Sequence, residues 1–167
     1  MKRFLSLCAA MILFILPCCA ESALTGNALT IYEAVRWNPN LAKTAQVLRA
    51  EEFLCKMNKE LTLHALLMEV SRSDEQEALY GRFSGVMLID LDTGDIIDYK
   101  NFDGNVMWPD GELTDKHDAL HLLYNSYISY IEGWNEGIMI PDHEFVTPLS
   151  DEEIAAINSQ LSSIFIR

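Results

Sequence analysis

LAKTAQVLRAEEFLCKMNKELTLHALLMEV, residues 41–70, decides how this chain is read, because it runs on without a Gly or a Pro. Val47, Ala50, Leu54, Met57, Leu61, Ala65 and Met68 recur at three- to four-residue intervals, the spacing of one buried face of a helix. The spacing predicts one long helix, or two joined near Asn58. Its last third, LTLHALLMEV (61–70), is apolar on nearly every side and so belongs at the centre of the core.

On the N-terminal side, Thr30-Ile31-Tyr32-Glu33 reads as a capping box opening a short helix to about Trp37. Asn38-Pro39-Asn40 interrupts it. On the C-terminal side, Ser71 to Glu77 is a polar connector, and then the period changes to two. FSGVMLIDLDTGDIIDYKNF (83–102) reads as two strands joined by a turn at Asp92-Thr93-Gly94-Asp95, with Gly94 free to take the left-handed backbone a tight turn needs. Val86 to Ile89 is apolar on both faces, which predicts cover on both sides. Two strands alone are marginal. Helices must pack on them, or the short segments GIMI (137–140) and EFVT (144–147) must extend them. Asp103-Gly104 and Pro109-Asp110-Gly111 mark turns. A helix follows from a Thr114 cap to about Trp134, and a last one from the capping box Ser150-Asp151-Glu152-Glu153 to about Phe165. The expected architecture is a single α+β domain over residues 21–167, mainly helical, packed around an antiparallel β-hairpin at about residues 84–102.

Residues 1–20 are expected to be a secretory signal peptide. Met1-Lys2-Arg3 is basic, Phe4 to Leu16 is apolar except for Ser6, and small residues precede Glu21. That run is shorter than the roughly 20 residues a membrane-spanning helix needs, and no later segment approaches that length. The alternative is a lipid anchor at the membrane surface through Cys18 or Cys19, although Pro17 and Cys18 occupy the positions where such signals carry Gly, Ala or Ser. Cleavage removes Cys8, Cys18 and Cys19 and leaves Cys55, so no internal disulfide can form. Cys55 is expected to be a small buried hydrophobe, with pairing to another chain as the alternative.

The whole chain carries 12 basic and 25 acidic residues, a net charge of −13. Such a surface repels phosphate backbones and anionic lipid, which argues against nucleic acid as a partner and leaves basic proteins and cations. Acids concentrate between Asp90 and Asp118, opposed there by Lys100 and Lys116 alone.

The segment most suggestive of chemistry is His117-Asp118-Ala119-Leu120-His121, close to the His-Glu-x-x-His pattern of zinc peptidases. Histidines four apart on a helix share a side and can meet on one zinc ion. Both fall beside the stripe of Leu120, Tyr124, Tyr127, Ile131 and Trp134, whereas Asp118 faces away and is a methylene shorter than the usual base. A third ligand would come from Asp142, His143 or Glu144. The metal candidates are thus His117, His121, His143 and Glu144, with zinc as the ion, or histidines simply bordering an amphipathic helix. For calcium, Asn101, Asp103 and Asp110 are spaced as an EF-hand-like loop around Gly104, but Tyr99 stands where its first Asp belongs, so an ordinary acidic turn is the better reading. His64 is expected to be a hydrogen-bonded core histidine. No G-x-S-x-G and no phosphate-cradling glycine motif occurs, and no catalytic residue is assigned. Tyr130 points away from the aromatic stripe and is the better candidate for an exposed contact. These readings favour a secreted, acidic, non-enzymatic binding or interaction module, with a zinc-binding protein or metal-dependent hydrolase centred on HDALH as the alternative.

Overall fold

A computed structural model describes residues 23–39, 41, 44–57, 59–71, 84–98, 115–134, 136–138 and 144–164. In chain order these form α1 (Gly26–Trp37), β1 (Val47–Lys56), β2 (Thr62–Ser71), β3 (Ser84–Asp90), β4 (Ile96–Asp98), α2 (Lys116–Ile131), β5 (Glu144–Pro148) and α3 (Asp151–Ser163). The expected leader (1–20), the Asn101–Asp110 turn, the Thr114 cap, Asp142 and His143 lie outside the described residues. No described helix is long and apolar enough to cross a membrane.

The long helix expected over 41–70 is instead an antiparallel hairpin. Val47 to Lys56 pairs with Thr62 to Val70, and the Met57 amide donates to the Leu61 carbonyl at 3.0 Å to close it. Neither one helix nor two joined near Asn58 forms: the chain reverses direction between β1 and β2. The α+β class stands; the description of the domain as mainly helical does not, because among the described residues three helices serve a five-stranded antiparallel sheet of order β4-β3-β2-β1-β5. The sequence misleads here for a physical reason. β2 is covered on both faces, so it shows no alternation, and Leu, Ala, Met and Glu, which favour helices in isolation, yield to strand pairing and burial.

Sheet geometry divides the core in two. Phe53, Cys55, Leu63, Ala65, Leu67, Val86 and Leu88 face α2 and pack against Leu120, Leu123, Tyr124 and Tyr127. Ala50, Leu66, Met68, Val70, Met87 and Ile89 face the other way, against Ile31, Tyr32 and Val35 of α1 and Ile157 and Leu161 of α3. Val86 to Ile89 is fully covered on both sides, and Cys55 is buried, as the sequence suggested, with its thiol 3.6 Å from the Met57 sulfur. The expected hairpin at 84–102 is β3 and β4. Gly94 has φ 80°, and its amide donates to the Asp90 carbonyl at 2.7 Å. EFVT does extend the sheet, but along β1 at the far edge, with Phe53 opposite Val146.

The helix ends show local chemistry at work. Ser150 and Glu153 form the reciprocal capping box foreseen for α3. Thr30 does not cap α1: the helix begins a turn earlier, and the Thr30 hydroxyl bonds the Gly26 carbonyl at 3.3 Å within it. For α2 the cap is Asp115, whose carboxylate accepts from the His117 amide at 2.8 Å.

Under the C-terminal half of α2 lies a less settled polar group. The Tyr127 hydroxyl and one Glu51 carboxylate oxygen are buried without a hydrogen bond of regular geometry, yet sit close enough to perturb each other. Burial raises the proton affinity of Glu51, against the opposing pull of Tyr127 and Arg49. Burial and the Glu51 charge together push the Tyr127 phenol well above its ordinary range. Glu51→Gln is therefore expected to stabilise the protein by about 1 kcal/mol at pH 7, because it removes a charge whose burial is incompletely compensated. The gain should vanish below about pH 4.3, where the unfolded carboxyl is protonated too. Chemical denaturation of both proteins across that range checks it.

Candidate functional site

At the end of the sheet where β3 turns into β4, polar and charged side chains from five elements form a line. It begins at Asn27 on α1, whose amide donates to Glu52 of β1 at 2.7 Å. Glu52 meets His64 of β2 at 2.7 Å, and the other ring nitrogen of His64 lies 4.0 Å from Asp92 in the β3–β4 turn. Lys116, the first residue of α2, bridges Asp92 at 2.6 Å and Asp90 at 3.0 Å. His64 is hydrogen-bonded, as expected, but its side chain is 34% exposed, so it is not a core histidine.

The electrostatics follow from these contacts. The hydrogen bond from His64 holds the Glu52 carboxyl below the ordinary carboxylate range. For Asp90, burial opposes ionisation, but the Asp92 amide, Lys116 and the Thr93 hydroxyl outweigh it and the carboxyl is held low. Burial likewise works against the Lys116 charge, and its two aspartates outweigh that and hold the ammonium above its usual value. These contacts tie the turn, the sheet and the start of α2 together, with Lys116 set between two of the line's three carboxylates. The acids concentrated between Asp90 and Asp118 do not share one surface: Asp90 and Asp98 are buried, whereas Asp95, Asp115 and Asp118 are exposed.

One turn into α2 the two histidines of HDALH do meet. His117 Nε2 and His121 Nε2 are 3.1 Å apart, with His121 buried and His117 largely exposed. Asp118 faces solvent, as expected, with 58% of its side chain exposed. Glu144 opens β5, which is separated from β3 by β1 and β2. No three His, Cys, Asp or Glu side chains converge on a metal-sized point among the described residues.

A feature that sequence reasoning missed is the open edge of the sheet. Among the described residues no strand pairs with the outer side of β5. On the α2 side of the sheet, α2 packs over β2 and β3, which leaves Val146 of β5 exposed. On the opposite face Leu54 of β1 is exposed beside the same edge. The alternating segment EFVT signalled a strand, but its place at an edge depends on strand order, which local pattern does not carry. Tyr130, singled out for exposure, is partly buried, with the Arg49 guanidinium 5.9 Å from its ring centre. Trp134, assigned to the buried stripe, is 74% exposed, because α2 ends at Ile131. No protein-family model, curated protein or solved structure matches the chain.

Proposed function

We propose that this protein is a secreted, non-enzymatic binding module, and that it captures an extended, basic protein segment by adding it as a strand beside β5. The observation that carries this reading is the β5 edge itself. Its outer backbone groups are unpaired among the described residues, and Val146, Thr147 and Pro148 are exposed. An edge strand offers a row of N–H and C=O groups that a second chain can satisfy, and alternate side chains on either face supply specificity. Val146 on one face and Leu54 on the other give an incoming strand apolar contact. Proteins commonly guard such edges with lysine. β5, EFVTP, carries none, and the net charge of −13 favours a basic partner.

The test is titration of the protein with lysine-rich β-forming peptides and with their glutamate-substituted counterparts. Binding of the basic set should weaken as salt is raised, and Val146→Pro should abolish it, because alternation from the Leu149–Ala50 bond turns the Val146 amide outward and leaves the β1 pairing intact. Equal binding of acidic and basic peptides, or full binding by Val146→Pro, would overturn the reading.

A further inference from the structure

We propose that His117 and His121 form a chelating site for a single divalent transition-metal ion, a site separate from the β5 edge and tested independently of it. The two Nε2 atoms face each other at 3.1 Å across one turn of α2, with ring centres 4.3 Å apart and planes tilted by 53°. At the usual zinc–nitrogen distance of about 2.0–2.1 Å, nitrogens at that separation subtend about 98° at a shared ion. That angle lies between the octahedral and tetrahedral values, so the pair can bind one ion without moving apart. The i, i+4 spacing on a helix fixes both rings on one side, so little freedom is lost on binding.

Burial and exposure divide the work between the two residues. His121 is 3% exposed, and that burial restricts its ring. His117 has 64% of its side chain exposed, which leaves a path from solvent. The Nδ1 of His117 lies 3.8 Å from the Asp118 carboxylate. That is beyond direct hydrogen-bond reach, yet a negative charge on that side favours the tautomer with its proton on Nδ1 and the Nε2 lone pair turned to the ion. Imidazole pairs suit Zn(II), Cu(II) and Ni(II), whereas Ca(II) and Mg(II) favour oxygen. Water completes the coordination. The acidic chain raises the local concentration of any cation.

The probe is Zn(II) added to the chelator-treated full chain and followed by calorimetry, with Cu(II) as a spectroscopic reporter. One ion per chain is expected to bind, with affinity falling in acid as protons compete for the imidazoles. His117→Ala, at an exposed helical position, should leave the fold standing and weaken binding at least tenfold, whereas His64→Ala should leave it unchanged. The Cu(II) resonance spectrum should carry hyperfine structure from two nitrogens in the parent and one in His117→Ala. No saturable binding by the parent would show a plain N–H···N hydrogen-bonded pair and overturn the proposal. So would undiminished binding by His117→Ala.

Discussion

Leu66→Ala and Leu67→Ala should each lower the free energy of unfolding by about 2–5 kcal/mol, the range for deleting most of a buried leucine and leaving a cavity. Both side chains are fully buried, but in different cores: Leu67 lies against α2, and Leu66 against α1 and α3. The two are consecutive residues of β2, and successive residues of a strand point to opposite faces. That both cost a full core substitution distinguishes a strand sandwiched between helices from an amphipathic helix with one buried stripe. Urea unfolding monitored by circular dichroism gives the values, provided the slope against denaturant is unchanged. The two losses should also be nearly additive, because the sheet separates the cavities. A near-neutral result for either would contradict the three-layer packing.

The second large effect is expected at Lys116→Met. The Asp90 side chain is 3% exposed, and Lys116 is the cation that faces it, at 3.0 Å. Removing one partner of such a pair leaves a buried charge poorly compensated, at a cost of about 3–5 kcal/mol in fully buried cases. Lys116 is 30% exposed, and Asp90 keeps its bonds from the Asp92 amide and the Thr93 hydroxyl, so about 2–3 kcal/mol is expected here. The pH dependence has a definite sign. Asp90 is held below the ordinary carboxylate value when folded. Its contribution is therefore complete above about pH 3.9, the unfolded value, and is lost as pH falls through the lower folded value. Lys116, held high, contributes below its unfolded value of about 10.4 and loses that contribution as pH rises through the folded one. Lys116→Met removes the alkaline term and lets Asp90 take up its proton more readily. Its acid unfolding transition should move to higher pH than that of the parent. An unchanged acid midpoint would show that the backbone and Thr93 bonds hold Asp90 ionised unaided.

The parts of the fold that were legible in the sequence are those written in local chemistry. The capping box at Ser150 and Glu153, the left-handed Gly94 and the β3–β4 hairpin each depend on residues within a few positions of one another. The β1–β2 hairpin was not legible, because its signal is non-local. Leu63, Ala65 and Leu67 turn to one helix while Leu66, Met68 and Val70 turn to two others, so Ala65 to Met68 is apolar at every position and the period of two disappears. For the candidate sites the division is the same. The meeting of His117 and His121 follows from helical spacing alone. The Glu52–His64–Asp92–Lys116 line could not be read, since it requires the order of the strands to be known first.

The proposed function rests on the open side of β5, and backbone amide mapping by NMR tests it most directly. On addition of a lysine-rich β-forming peptide, the amides of Phe145 to Thr147 and their β1 partners Glu52 to Leu54 should shift, and the outward-facing Val146 amide should become protected from exchange, while those of α2 around His117 stay in place. Protection confined to another surface, or none at saturating peptide, would contradict strand addition at this edge.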